Sequence, residues 1–191
     1  MEIKRIILSG KAASGKDHAR KILEGLGFNY GISYTTRPPR DVEVNGVDYH
    51  FLSRKEFDVM ISRKEWYEYV DFNGWSYGTT NEQFHGSCDT FIMTPHGISE
   101  IKEKDRDDCL ILFFDIDDES RRERLVGRND SDDKMERRME ADTKDFSDFT
   151  DWDVKISDPL FDLVNDILNP AIEKQIPFNE HIITKINNYE Y

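Results

Sequence analysis

The sequence points to an α/β fold: a parallel sheet flanked by helices, joined to a mainly β insert and a helical, charge-rich segment. Three features carry that expectation. An apolar strand, a glycine-framed loop and a helix follow one another at the start of the chain. Cys109-Leu110-Ile111-Leu112-Phe113-Phe114 is the strongest apolar run and reads as a central strand covered on both faces. Strand-like and helix-like segments then alternate, the order that builds parallel sheets. With 191 residues, 37% hydrophobic and 12% aromatic, the chain has the material for one sizeable core.

Ile6, Ile7 and Leu8 form the first strand, and Gly10, Gly15 and Lys16 fit G-x-x-x-x-G-K, the loop that holds phosphate between a strand and a helix. Glycines let backbone N–H groups turn inward around an anion, here along Lys11, Ala12, Ala13 and Ser14. The helix start adds unpaired donors and the positive end of its dipole. Lys16 then reaches the terminal phosphates of a nucleoside triphosphate. The motif ordinarily closes on Ser or Thr, whose hydroxyl binds Mg²⁺, and here Asp17 stands in that place. Its carboxylate has three uses open to it: holding the metal directly, holding it through water, or capping the helix.

The helix runs through His18, Ile22, Leu23 and Leu26, and residues 25–28 turn the chain into a second extended segment, 29–34. Pro38-Pro39 makes 35–40 a rigid, extended loop. A turn at 41–46 precedes a short strand at 47–51, and Ser53 caps a helix bearing Phe57, Met60 and Ile61. Aromatic alternation over 65–72, a hairpin turn at Asn73-Gly74 and a partner strand from Trp75 complete the β insert. Helical pattern is weak over 81–86. Residues 89–94 return to a buried strand that Pro95-His96-Gly97 ends, with a helix expected over 98–104. Beyond the central strand, 120–126 reads as helix and 127–153 is dense in both charge signs. Residues 154–158 suggest a last strand, and Pro159 is expected to open a helix through Leu163, Ile167 and Ile172.

A formal net charge of −13 argues against nonspecific binding to nucleic acid or an anionic membrane, both of which need basic surface. It leaves nucleotides open, since a few converging Arg and Lys suffice for one phosphate. No apolar run approaches the ~18 residues of a membrane helix, and the start lacks a signal segment. Cys88 and Cys109 make neither a disulfide framework nor a zinc pattern, and His18, His85 and His181 lack metal-spaced partners. A soluble cytoplasmic protein, monomer or homodimer, is the expectation.

Ser33-Tyr34-Thr35-Thr36-Arg37-Pro38-Pro39-Arg40, then Glu43, Gly46, Asp48-Tyr49 and Phe51, then Glu68 and Tyr77-Gly78-Thr79, resemble the guanylate kinase pattern S-x-T-T-R-x-P-R…E-x-x-G-x-D-Y-x-F…E…Y-G-T. With the phosphate loop, the likeness runs to about Leu168. It implies a P-loop NTPase core (1–30, 84–118 and 154–191), an insert that grips a nucleoside monophosphate (31–83) and a lid (119–153).

The resemblance also implies roles. Arg37, Arg40 and Tyr49, helped by Tyr77, hold the monophosphate's phosphate; paired guanidinium forks suit a dianion. Ser33, Glu68 and Thr79 meet the guanine edge, whose N1–H and N2–H need an acceptor. Lys16, Arg37, Arg40 and the lid arginines Arg128 and Arg138 are the catalytic set, with Arg124 and Arg137 as further candidates. ATP is the donor, Mg²⁺ the metal, and GDP or dGDP the product. Where the family shows Asp-x-Asp ahead of a glycine, this chain has Thr94-Pro95-His96, which brings His96 into the monophosphate set and opens an alternative substrate, a modified or pyrimidine deoxynucleotide. A noncatalytic binding module is the other rival, although such domains lose the phosphate loop kept here. Residues 175–191 extend past the family's usual end and are expected to pack on their own domain as a strand or short helix.

Overall fold

The computed structural model describes residues 2–72, 74–126 and 135–187. Strand β1 (Arg5–Gly10) leads through the glycine loop into α1 (Lys16–Gly25). Next come β2 (Tyr34–Thr35), β3 (His50–Phe51), α2 (Arg54–Ser62), β4 (Trp66–Phe72) and β5 (Trp75–Thr80). The chain continues through α3 (Asn81–His85), β6 (Thr90–Ile92), α4 (Pro95–Ser99), α5 (Glu103–Arg106) and β7 (Cys109–Phe114). Then follow α6 (Asp118–Val126), α7 (Met135–Phe146), β8 (Val154–Ile156), a π-helical segment Leu163–Leu168, α8 (Asn169–Glu173) and α9 (Glu180–Asn187).

Four strands make a parallel sheet in the order β6-β1-β7-β8, with Leu8 opposite both Ile92 and Leu112. Side-chain alternation splits the core in two. Ile6, Leu8, Leu110, Leu112 and Phe114 face Leu23 of α1, the π-helical Leu163 and Ile167, and Ile182 and Ile186 of α9. Ile7 and Ile111 face the other way, onto Phe84, Phe91 and Ile98. Both layers are apolar, and each such buried side chain stabilises the fold by about 1.5–3 kcal/mol. The central position expected for β7 is the one observed.

A second sheet, β3-β2-β5-β4, gathers the strands between Tyr34 and Thr80. Its pairs are antiparallel except β2 with β3. Helix α2 begins at a reciprocal Ser53–Glu56 capping box and stacks Phe57 on Trp66 with ring centroids 4.2 Å apart. A register shift between Trp66 and Glu68 interrupts the β4–β5 ladder.

Four expectations need correction. The strand at 47–51 shrinks to His50–Phe51, because Asp48 turns its carboxylate onto the Val44 N–H and the 44–48 backbone closes on itself. Residues 81–85 are helical because Thr80 and Gln83 form a capping box. Pro95-His96-Gly97 opens α4 rather than ending a strand: Thr94 caps the Gly97 N–H at 3.1 Å and proline fits the first turn. Pro159 opens no helix; the next one starts at Leu163, where Asp162 accepts from the Val164 and Asn165 N–H groups. At the end of the chain α9 buries Ile182 and Ile186 in the core, and its Lys185 is ion-paired with buried Asp89.

Candidate active site

The phosphate loop is built by backbone geometry. Gly10 has φ 152, and a Cβ there would stand 2.6 Å from Phe114 O, so a side chain is barred on two counts. Ala13 and Gly15 are left-handed, with φ of 60 and 105. No side chain among the described residues caps α1, which leaves its first N–H groups open to an anion. Lys16 Nζ is folded over the loop, donating to Gly10 O at 2.6 Å and Lys11 O at 2.8 Å. Asp17 is exposed in the first turn, beside the cleft, and does not cap the helix.

Across the cleft, Glu43 braces both motif arginines. Arg37 Nη2 donates to its two oxygens at 2.8 and 2.9 Å, and Arg40 gives its backbone N–H at 2.8 Å and Nη1 at 3.2 Å. The Arg37 guanidinium lies 5.4 Å from the Tyr49 ring centre, and the Tyr49 and Tyr77 rings are 6.1 Å apart. Burial pushes the Tyr49 phenol up to about 12 and raises that of Tyr77, so both stay protonated hydrogen-bond donors.

Glu68 is 7% exposed and sits at the register shift of β4, where an irregular ladder re-aims a side chain. Burial pushes its carboxyl up to about 7. Dipoles of Thr79 oppose that rise, although Thr79 Oγ1 makes no hydrogen bond of full geometry among the described residues. Helix α4 crosses close by: a Cβ on Gly97 would stand 3.0 Å from Glu68 Oε2. Ser33 and Glu68 line the cleft, while Thr79 is buried behind it. Thr94 lines the cleft as well, with Met93. His96 does not; it is exposed on α4 and acts electrostatically on Asp145 of α7.

One cleft of about 950 Å³ joins these parts, running from Gly10, Lys16 and Asp17 to Arg37, Arg40, Tyr49, Glu68 and Tyr77. A second hollow of about 480 Å³ lies on the outer side of the loop, against Arg124, Leu160 and Phe161. There Arg124 donates to Ala13 O at 3.1 Å and Pro159 O at 2.6 Å. Arg128 lies outside the described residues, and so do the side chains of Arg137 and Arg138 on α7.

Two residues at the loop were not anticipated. Arg121 is 0% exposed and donates from Nε to Ala12 O at 2.9 Å, with further bonds to Asp118 and Asp142. Asp142 accepts the Ala12 N–H at 2.8 Å. The available signal was positional: Arg121 shares a buried helix face with Leu125, and Asp142 with Met139.

The guanylate kinase family model matches residues 2–175. The chain is 30% identical to the guanylate kinase of Streptococcus agalactiae serotype III (strain NEM316) over 192 aligned residues, covering 96% of this chain and 92% of the relative. It is 33% identical to that of Enterococcus faecalis (strain ATCC 700802 / V583), over 92% of this chain and 88% of the other. The crystal structure of guanylate kinase from Anaplasma phagocytophilum superimposes with a TM-score of 0.68 at 19% identity, covering 98% of this chain and 95% of that one, and so shares the fold. On the family match and these identities, the chain belongs to the guanylate kinase family.

Proposed function

We propose that this protein is an ATP-dependent guanylate kinase, moving the γ-phosphoryl group of ATP to GMP or dGMP and releasing ADP with GDP or dGDP. The observation that carries the reading is the continuous cleft from Lys16 to Arg37, Arg40 and Glu68. A monophosphate oxygen is already anionic, so the reaction needs no general base. It needs two polyanions held in line and their charge offset.

Lys16 and the uncapped start of α1 serve the donor. Arg37 and Arg40, braced by Glu43, hold the acceptor phosphate, and the Tyr49 and Tyr77 hydroxyls donate to it. The acceptor oxygen bonds to the γ-phosphorus as the bond to the bridging oxygen breaks, and ADP keeps that oxygen. Ionised Glu68 accepts guanine N1–H and N2–H, with the Ser33 hydroxyl beside it at the cleft, while Thr79 acts from behind on Glu68 itself. The hollow at Arg124 is the place for the donor nucleoside. We assign 31–83 as the monophosphate-binding insert and 119–153 as a lid whose Arg128 and Arg138 approach the transferred group, with closure excluding water.

Among the described residues no group of three His, Cys, Asp or Glu is arranged to hold a metal. Mg²⁺ needs no such cage, since it binds through one or two carboxylates plus phosphates and water, and Asp17 at the cleft fits that requirement. When bound there, Mg²⁺ would offset charge on the donor phosphates. Among the described residues no helix is long and apolar enough to cross a membrane. We take the protein to act on free nucleotides in the cytoplasm, as a monomer or homodimer that sedimentation would tell apart.

A panel of ribo- and deoxyribonucleoside monophosphates assayed for ADP formation tests the reading. GMP or dGMP is expected to lead, and both being inert overturns it. Thr94 at the cleft wall supports a second reading, a deoxynucleotide kinase for a modified or pyrimidine base, which the same panel would reveal. The noncatalytic alternative is disfavoured by the intact loop. Lys16→Ala is expected to abolish turnover.

A further inference from the structure

Arg121 and Asp142 have no part in the scheme above, yet both are buried against the phosphate loop, at 0% and 6% exposure. Asp142 Oδ2 accepts the Ala12 N–H at 2.8 Å and also a hydrogen bond from Arg121 Nη2. Two donors thus converge on one oxygen. Arg121 is held independently of that oxygen, with Nε on Ala12 O at 2.9 Å and Nη1 on Asp118 at 2.6 Å. Burial raises the Asp142 carboxyl above the usual carboxylate range, and the Ala12 N–H, Arg121, Lys16 and Lys11 oppose that rise by favouring its charged form. Asp142 also lines the cleft, so a ligand there meets it directly.

A loop N–H and a fixed guanidinium on one anionic oxygen, with two lysine charges acting on its carboxylate from farther off, match the donor set of a phosphate oxygen. We propose that the Asp142 carboxylate is an internal stand-in for a donor phosphate oxygen, and that Arg121 is a phosphate-binding residue of the loop. The proposal rests on the reading of ATP as donor.

The physical logic is an exchange of anions. Asp118 holds Nη1 of the buried Arg121 guanidinium throughout, but Nη2 would be left buried without an acceptor, and Asp142 supplies that acceptor while the loop is empty. An arriving phosphate cannot share the position, because two anionic oxygens at contact repel. Asp142 withdraws, and Ala12 N–H and Arg121 Nη2 pass to the phosphate. Asp142 therefore lowers the affinity for ATP, and Arg121 raises it.

ATP and GMP affinities are measured by calorimetry on wild type, Asp142→Asn and the double variant Arg121→Gln/Asp142→Asn. Asp142→Asn is expected to bind ATP about tenfold tighter than wild type, the scale of one charged hydrogen bond, with GMP affinity unchanged. The double variant is expected to bind ATP about tenfold more weakly than Asp142→Asn. Unchanged or weaker ATP binding by Asp142→Asn overturns the proposal, as does equal binding by the two variants. A general disturbance of the fold would move GMP affinity too.

A wild-type crystal with a nonhydrolysable ATP analogue decides the matter without variants. Ala12 N and Arg121 Nη2 on a phosphate oxygen support the exchange; Asp142 still on Ala12 N beside the bound analogue overturns it alone. Wild type that binds no ATP overturns the donor reading, and the exchange falls with it.

Discussion

In the role proposed for it, Glu68 sets stability against recognition. Guanine's N1–H and N2–H require the carboxylate charged, while burial favours its neutral form and pushes it up to about 7. The folded value lies above the unfolded one, so the folded protein binds the proton more tightly. As pH rises from about 4.5 to about 7 the free protein therefore loses stability, by roughly 3 kcal/mol at most. Glu68→Gln, which keeps the shape and removes the charge, is expected to raise the melting temperature at pH 8 and leave it nearly unchanged at pH 4. The same variant is expected to lose about 100-fold or more in kcat/KM for GMP, since an amide NH2 replaces one of the two accepting oxygens and opposes a guanine donor. In wild type, KM for GMP is expected to rise about tenfold per unit as pH falls below about 7, while KM for ATP holds. A flat GMP profile between pH 5 and 8 would mean the carboxylate does not read the base.

At the level of the element, spacing revealed what is local and missed what is not. Strand β1, its loop and α1 were readable because period, glycine placement and the lysine occur within a dozen or so adjacent residues. The arginine loop and the β4–β5 hairpin were readable for the same reason. Helices α3 and α4 were missed because a five-residue helix shows no period; it is fixed by its cap, Thr80 with Gln83 or Thr94 with Pro95. That error also misplaced His96, which α4 leaves exposed. The ion pair of Arg121 with Asp142 joins two helices, and nothing in either helix alone announces the other partner. Cap and core contributions separate cleanly in denaturation. Ser53→Ala is expected to cost about 1 kcal/mol through α2. Ile182→Ala, at a side chain 0% exposed on α9, is expected to cost about 2–4 kcal/mol. Urea titration of both variants checks the ranking, and equal small losses would mean that α9 is not part of the cooperative core.

Over the whole molecule, a net charge of −13 repels both substrates at long range, so binding must come from cations at short range inside the cleft. Lys16 stands at one end of that cleft, Arg37 and Arg40 toward the other. If the two phosphate sites share one space, adenosine and guanosine joined through a chain of phosphates fill both in a single binding event. The second contact is then intramolecular, and affinity is expected to exceed that of either nucleotide alone by about 10²-fold or more. Ligand binding stabilises the folded state in proportion to the logarithm of its occupancy ratio, about 2.7 kcal/mol at a hundred times Kd. The linked compound should therefore raise the melting temperature more than ATP and GMP do separately at the same concentration. Lys16→Ala and Arg37→Ala should each reduce that gain to the level of one nucleotide. A linked compound that protects no better than GMP would place the two anions in separate pockets, and in-line transfer between them would be impossible.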